Sequence, residues 1–482
     1  MTDLPQHEAI VSIMRHMHDP AYGFDAYYAW ALDRTLYDFP YFLALGLAYI
    51  VPVKVAMHIT VLLAVISYPV GILMALRAMR RPIWIGLLAM PLVYNRAFFW
   101  GFINFCFGVG LAFMALSLLV GTWSRRRGWL LMGLCLLTAV NHVYGLLVIF
   151  AYSAGWLVSG RQRELLRRLL WTLPALLTLV GWGIFAAKAP GYGTTEWLDV
   201  SKRIEELGHS ILGGYVDDSE NLLLWGWIAA TVMLASASAP VTWSRFKRLS
   251  VHTRAAYLFI IVNVVAYFML PVATPAAKFI HFRHAVLAAM MMPLIIERVP
   301  TIGIMKRVSW LAAAVACFAL TNSWIHLTRF EKEARSFDSI LSSIPARSNI
   351  VQLTYDSKGS VMRTHAYLHF GAYAQALRGG VFAVSFPSLF WNIPVKGREG
   401  SHMPGTPKNL EWAPSLFSER RMGRFYDTIL TRNRPNAAAR PQTFDFHSLQ
   451  VISRDWRLYR SASNVGSANQ QGGSDGRHRS RW

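Results

Sequence analysis

Two stretches of this sequence combine residue types and spacings that support chemistry. The first is Thr2–Asp19, TDLPQHEAIVSIMRHMHD. Asp3 and His7 are four apart, so a helix that includes Asp3 turns both toward one side. A carboxylate at a membrane face beside a buried cavity can act as general base, or hold a divalent metal against a phosphate. Asp3 is also a natural N-cap for a helix starting at Leu4, a role without chemistry, and the sequence leaves both readings open. His16, His18 and Asp19 raise the idea of a metal site. An i, i+2 histidine pair points in two directions on a helix, so specific metal binding is not expected there, and any metal ligands stay unknown.

The second stretch is KFIHFRHA, with Lys278, His281, Arg283 and His284. A Lys–Arg pair can clamp a phosphate; the alternative is that both cations only snorkel to an interface. Further polar groups stand at the ends of apolar runs. Asn95 follows Tyr94 and precedes Arg96. Asn104, inside an apolar helix, needs a partner and can bond another helix, while Gly101, Gly108 and Gly110 allow close helix packing. His142 follows Asn141 in a tight turn, where a satisfied turn histidine and a substrate-binding one are both open readings. There is no P-loop, GxGxxG before a helix, HExxH or GxSxG elbow, which removes the chemistries those motifs carry.

The elements that must position these residues are membrane helices. Of 482 residues, 54% are hydrophobic and 15% charged, against about 25% charged in soluble domains. About ten segments read as spans: 55–78, 82–96, 98–121, 128–141, 143–159, 166–188, 221–240, 255–272, 284–297 and 308–325. Pro91 is expected to kink the second. The net charge of +22 comes from Lys and Arg at the ends of apolar blocks, a topology signal, so no nucleic-acid partner is expected. Alternate connections carry Arg77, Arg80 and Arg81; Arg125, Arg126 and Arg127; Arg161, Arg163, Arg167 and Arg168; Arg245, Lys247, Arg248 and Arg254; and Arg298, Lys306 and Arg307. That excess marks these loops as cytoplasmic. Lys278 and Arg283 then sit on the outer side, against the rule, which favours a functional role. Cys106, Cys135 and Cys317 fall in apolar stretches and read as free thiols.

The expected class is an all-α polytopic membrane protein with a small extracytoplasmic α/β domain at its C-terminal end. Residues 1–54 form an outer loop with juxtamembrane helices. Within it, a helix from Leu4 presents Ile10, Met14 and Met17 as if lying on the membrane surface, and the apolar 36–51 lies along the interface. Residues 55–325 form the membrane domain. Residues 326–460 form the α/β domain, with strands over Ile350–Tyr355, Val381–Phe386 and Leu449–Ile452 and a helix over His365–Leu377. Residues 461–482 have the composition of a disordered tail. This topology asks some fifty polar and interfacial residues to cross a membrane without a leading helix. The expectation is that a first spanning helix, upstream of Met1, is missing from this sequence.

This arrangement resembles the type C glycosyltransferases, the GT-C fold of membrane enzymes that use polyprenyl-phosphate-linked sugars. The likeness rests on the acidic residue in DLPQHEA, where a first helix should emerge. It rests also on an interfacial segment and span over FPYFLALGLAYIVPVKVAMHITVLLAVISYPVGILMALRAMRR, on many later spans, and on a closing α/β domain from IPARSNIVQLTYD to DWRLYR. The stretch PLVYNRAFFWGFINFCFGVGLAFMAL is similar to uncharacterised bacterial membrane proteins related to that fold. The resemblance implies a multi-pass protein of the inner (plasma) membrane that moves a sugar from a polyprenyl-phosphate donor to an extracytoplasmic acceptor. It implies Asp3 as catalytic base or metal ligand, His7 as its support, and Lys278 and Arg283 as holders of the donor phosphate. No cofactor is certain, a divalent metal ion being the candidate; the partners are the lipid-linked sugar donor and membrane lipids. The sequence departs from the pattern in having no second acidic residue directly after Asp3. A non-enzymatic envelope-assembly protein that handles lipid-linked glycans or serves as a scaffold is the alternative expectation. A transporter is disfavoured by span interiors nearly free of ionisable residues.

Overall fold

A computed structural model describes residues 1–461 except 34, 161, 187–193, 239–245, 276, 298–301, 391, 408 and 435–442. The expected disordered tail, the loop residues Arg161, Arg245 and Arg298, and the Lys306 side chain lie outside the described residues. The chain is mostly helical. Helices α1 (Leu4–Arg15) and α2 (Phe39–Ala48) precede α3 (Val53–Ala78). A 3-10 helix over Ile83–Leu92 and the short α4 (Arg96–Trp100) lead into α5 (Ile103–Val120). Next come α6 (Arg125–Ala139), α7 (Val143–Ser159), α8 (Gln162–Leu169), α9 (Leu173–Ala186), α10 (Val200–Glu205), α11 (Leu207–Ile211) and α12 (Ser219–Ser238). The bundle ends with α13 (Val251–Met269), α14 (Ile280–Met291) and α15 (Ile302–Ala334).

Among the described residues, five helical stretches are long and apolar enough to cross a membrane: Val53–Ala78, Ile103–Val120, Arg163–Ala186, Val251–Met269 and Arg307–Ala334. The expected span over 82–96 is not one α-helix. Pro82 and Pro91 each remove a backbone donor, the segment winds as a 3-10 helix, and Asn95 restarts the chain as the cap of α4. Closely packed helices form the bundle core. A Cβ on Gly110 would collide with the Ser67 side chain and lie 2.7 Å from its carbonyl carbon, so α3 and α5 meet backbone to backbone there. A Cβ on Gly108 would lie 2.8 Å from Asn141 Nδ2.

The buried basic residues Arg81 and Arg168 share one end of the bundle, both close to His252. The buried Arg81 bonds the Thr253 hydroxyl (2.6 Å) and the Leu294 carbonyl, and Arg168 donates to the Gly121 carbonyl (2.9 Å) and to that of Leu119. These guanidiniums satisfy carbonyls left unpaired where α5 and the last turn after α14 stop. The opposite end carries α1, α2 and the C-terminal domain.

That domain follows α15 and α16 (Ser336–Ser343). Its five-stranded sheet has the order β5-β4-β7-β9-β8, with β4 (Asn349–Thr354), β5 (Val381–Phe382), β7 (Thr428–Arg432), β8 (His447–Ser453) and β9 (Trp456–Ser461). β4 runs parallel to β5 and β7, and β9 antiparallel to β7 and β8. A lone pair, β1 (Tyr28–Trp30) with β6 (Val395–Gly397), ties the N-terminal segment to this domain. The expected strand over Val381–Phe386 stops at Phe382, because Ser385 and Pro387 begin the short helix α18 (Phe386–Leu389). The expected helix over His365–Leu377 is turns followed by α17 (Gly371–Arg378).

Helix α1 does not lie on a surface. Residues Pro5 to Met14 are all buried, because α1 is sandwiched between α17 on one side and α2 and α3 on the other. Its polar side chains bond the domain above: Gln6 to the Val384 carbonyl (2.7 Å) and Ser12 to that of Ala376 (2.6 Å). The amphipathic pattern is that of a helix between two layers, with Ile10, Val11 and Ile13 in a shared apolar core with Tyr41 and Met57.

Candidate active site

The first residues of the chain lie against the break between α4 and α5. The Thr2 N–H donates to the Phe99 carbonyl (2.9 Å) and the Asp3 N–H to that of Trp100 (3.2 Å). Gly101 makes the approach possible. Its φ is +99°, a left-handed conformation suited to glycine, and a Cβ there would lie 2.7 Å from Asp3 Cβ. Asp3 stands at the N-cap position of α1 and its carbonyl accepts from the His7 N–H (3.1 Å). Its carboxylate, however, makes no capping hydrogen bond. Oδ1 instead lies 3.1 Å from His369 Nδ1, at ion-pair distance but off the line of a well-directed hydrogen bond.

His369 precedes α17 and is buried between two carboxylates. Its Nε2 bonds Glu411 Oε2 at 3.2 Å. Burial alone would lower the imidazole pKa; the Asp3 and Glu411 carboxylates overcome it and raise the value to about 9. Burial pushes Glu411 up in turn, and His369, the Trp412 indole and the nearby Lys278 outweigh it, holding the carboxyl below its ordinary range. The Trp412 N–H donates to Glu411 Oε1 (2.7 Å).

His7 is held from both ring nitrogens. A carbonyl can only accept, so Nε2 donates to Gly101 (2.9 Å) and Nδ1 of the neutral ring accepts from the Tyr41 hydroxyl (2.8 Å). Burial, only partly offset by Asp3 and the Gly101 bond, holds the ring below its ordinary pKa.

The cationic side is built by a two-stranded hairpin, β2 (Ala273–Thr274) with β3 (Ala277–Lys278), and the first turn of α14. Phe279 joins them with φ +61° and ψ +41°, a conformation that costs a bulky residue roughly 1–2 kcal/mol. Its ring packs on Trp100 with centroids 4.4 Å apart. The Arg283 guanidinium lies 4.6 Å from the centre of the Phe102 ring. Lys278 is exposed at the hairpin end.

Asn104 donates to the Tyr37 carbonyl (2.8 Å) and to that of Asn141 (3.3 Å), and Asn141 returns a bond to the Asn104 carbonyl (2.7 Å). His142 caps α7 through Nδ1, which accepts the Tyr144 N–H (3.1 Å). Asp3, His7, Asn104, His142, Lys278 and Arg283 all line one cavity of about 290 Å³, together with Tyr41, His369, Glu411 and Trp412. Asn95 is not in its wall. It is a buried cap with its amide spent on the Ala97 and Phe98 N–H groups and the Leu92 carbonyl.

Sequence reasoning missed His369 and Glu411. The first lies in a stretch that reads as helix and the second in an aperiodic loop. Only the EW pair at Glu411–Trp412, an acid beside an aromatic, marks the place. Among the described residues, no group of three or more His, Cys, Asp or Glu side chains is arranged to hold a metal ion. Asp3, His369 and Glu411 stand in line, an imidazole between two carboxylates, instead of converging on a point, so these residues do not fit a metal. His16 bonds Asp19 (3.3 Å) and stacks on Tyr22, which spends it locally. Compared with known proteins, the chain matches no family model and no curated protein.

Proposed function

We propose that this chain is an integral membrane glycosyltransferase of the GT-C kind, with about ten spans, in the inner membrane. Both the site and the C-terminal domain lie on the extracytoplasmic side, the basic loops being cytoplasmic. The donor is a polyprenyl-phosphate sugar. An acceptor hydroxyl attacks the anomeric carbon, the bond from that carbon to the phosphate oxygen breaks, and Asp3 takes the hydroxyl proton. Lys278 and Arg283 stabilise the phosphate that leaves. His7 and Tyr41 fix the Gly101 turn against which Asp3 is docked.

One observation carries this reading. A carboxylate that its own helix does not use faces the same cavity as a Lys–Arg pair. Asp3→Asn should leave the protein inserted and folded while lowering transfer at least about a hundredfold, as loss of a general base does. Unchanged glycan products from that variant would refute the mechanism.

A further inference from the structure

We infer that Trp412 and Glu411 form the subsite for the sugar ring of the lipid-linked donor. This inference rests on the donor reading above and assigns the part of the cavity that reading leaves unused.

A line of rings runs from the phosphate side of the cavity to Glu411. Phe279, next to Lys278, packs on Trp100 at 4.4 Å. Trp100 neighbours His365 at 6.0 Å, and His365 meets Trp412 edge-on at 4.8 Å. His365 is fixed by the Ser357 hydroxyl at 2.6 Å. Trp412 is thus held from two sides, by His365 and by its own N–H bond to Glu411, yet it remains 40% exposed. A fixed, accessible indole beside a half-buried carboxylate is unusual in a wall that only has to pack.

Glu411 has acceptor capacity to spare. Its two oxygens offer about four lone-pair sites, of which Trp412 and His369 occupy two. A ligand placed here meets an aromatic face and hydrogen-bond acceptors at its edge. A lipid chain would waste the acceptors, and a second phosphate would be repelled by Glu411 and Asp3. A sugar ring satisfies both, with a C–H face on the indole and hydroxyls on the carboxylate. It is also the group that must follow the phosphate in the donor, and Lys278 is close enough to Glu411 to influence its charge.

The test is a binding titration of the full chain in lipid nanodiscs. The probes are bare polyprenyl monophosphate and a panel of polyprenyl-phosphate pentoses and hexoses. The wild type should prefer at least one glycosylated lipid over the bare one. Trp412→Ala should cut that preference roughly tenfold while leaving affinity for the bare lipid unchanged, and Glu411→Gln should cut the preference by a similar factor. Trp412→Phe, which keeps a ring, should retain most of the preference. Lys278→Ala should weaken both kinds of lipid alike. A preference that survives both Trp412→Ala and Glu411→Gln, or that is absent from the wild type while bare lipid binds, would overturn the subsite and leave the donor-phosphate reading standing. Failure of the wild type to bind any of these lipids would overturn both.

Discussion

A single imidazole joins the two ends of this chain. His369 lies between Asp3 and Glu411, and its raised pKa is a statement about stability as well as charge. The folded value of about 9 exceeds the ordinary 6.5. The clamp therefore contributes fully below about pH 6.5 and is lost as pH rises through about 9, on the order of 3 kcal/mol in all. The melting temperature of the wild type should fall more steeply between roughly pH 6.5 and 9 than that of His369→Gln, which has no proton to lose. Parallel pH curves for the two proteins would show that the imidazolium does not hold the ends together. The same geometry separates two roles that Asp3 could have had. Its backbone begins α1 and its carboxylate does not cap it, a division visible only once the partner 366 positions away is in place.

At the scale of elements, the break between α4 and α5 decides where the carboxylate stands. Gly101 closes α4 in a left-handed conformation and receives the Asp3 backbone against it. Alanine there meets both a strained φ and a contact of 2.7 Å. Gly101→Ala should cost roughly 2 kcal/mol or more, by denaturant or thermal melts in detergent. It should also displace Asp3, so that its transfer rate falls toward that of Asp3→Asn even where the protein is folded. The glycines over 101–110 are legible in the sequence as sites of close approach, but what approaches is not. For Gly110 it is Ser67 of the neighbouring helix, for Gly108 the α6–α7 turn, and for Gly101 the start of the chain. Strands β7 and β9 were not legible either. TILTR is buried on both faces and so lacks alternation, and Arg432 within it is buried over the Tyr367 ring (3.7 Å).

At the scale of the molecule, α1 is the layer that couples the bundle to the C-terminal domain. It presents apolar residues to both and hydrogen-bonds the domain through Gln6 and Ser12. The cavity is complete only when the N-terminal residues, the bundle ends and the domain come together, so all three must occupy one side of the membrane. A periplasm-dependent reporter fused after Trp482 should be active, and a cytosol-dependent one should not. The opposite result would remove the proposed extracytoplasmic site altogether.

What this sequence determines by itself is local and periodic. Apolar blocks specify membrane-type helices, basic clusters mark one set of loops, and a carboxylate, a histidine and a Lys–Arg pair stand at block ends. Tertiary structure alone decides which of those groups meet. It brings Asp3 and Lys278 to one cavity, leaves Asn95 as a buried cap, and adds His369 and Glu411 from the last third of the chain. Hydropathy records how each segment meets its solvent, whereas a site depends on distances between segments far apart in sequence. Those distances are fixed by the packing of α1 between two layers and by the glycine that lets Asp3 approach.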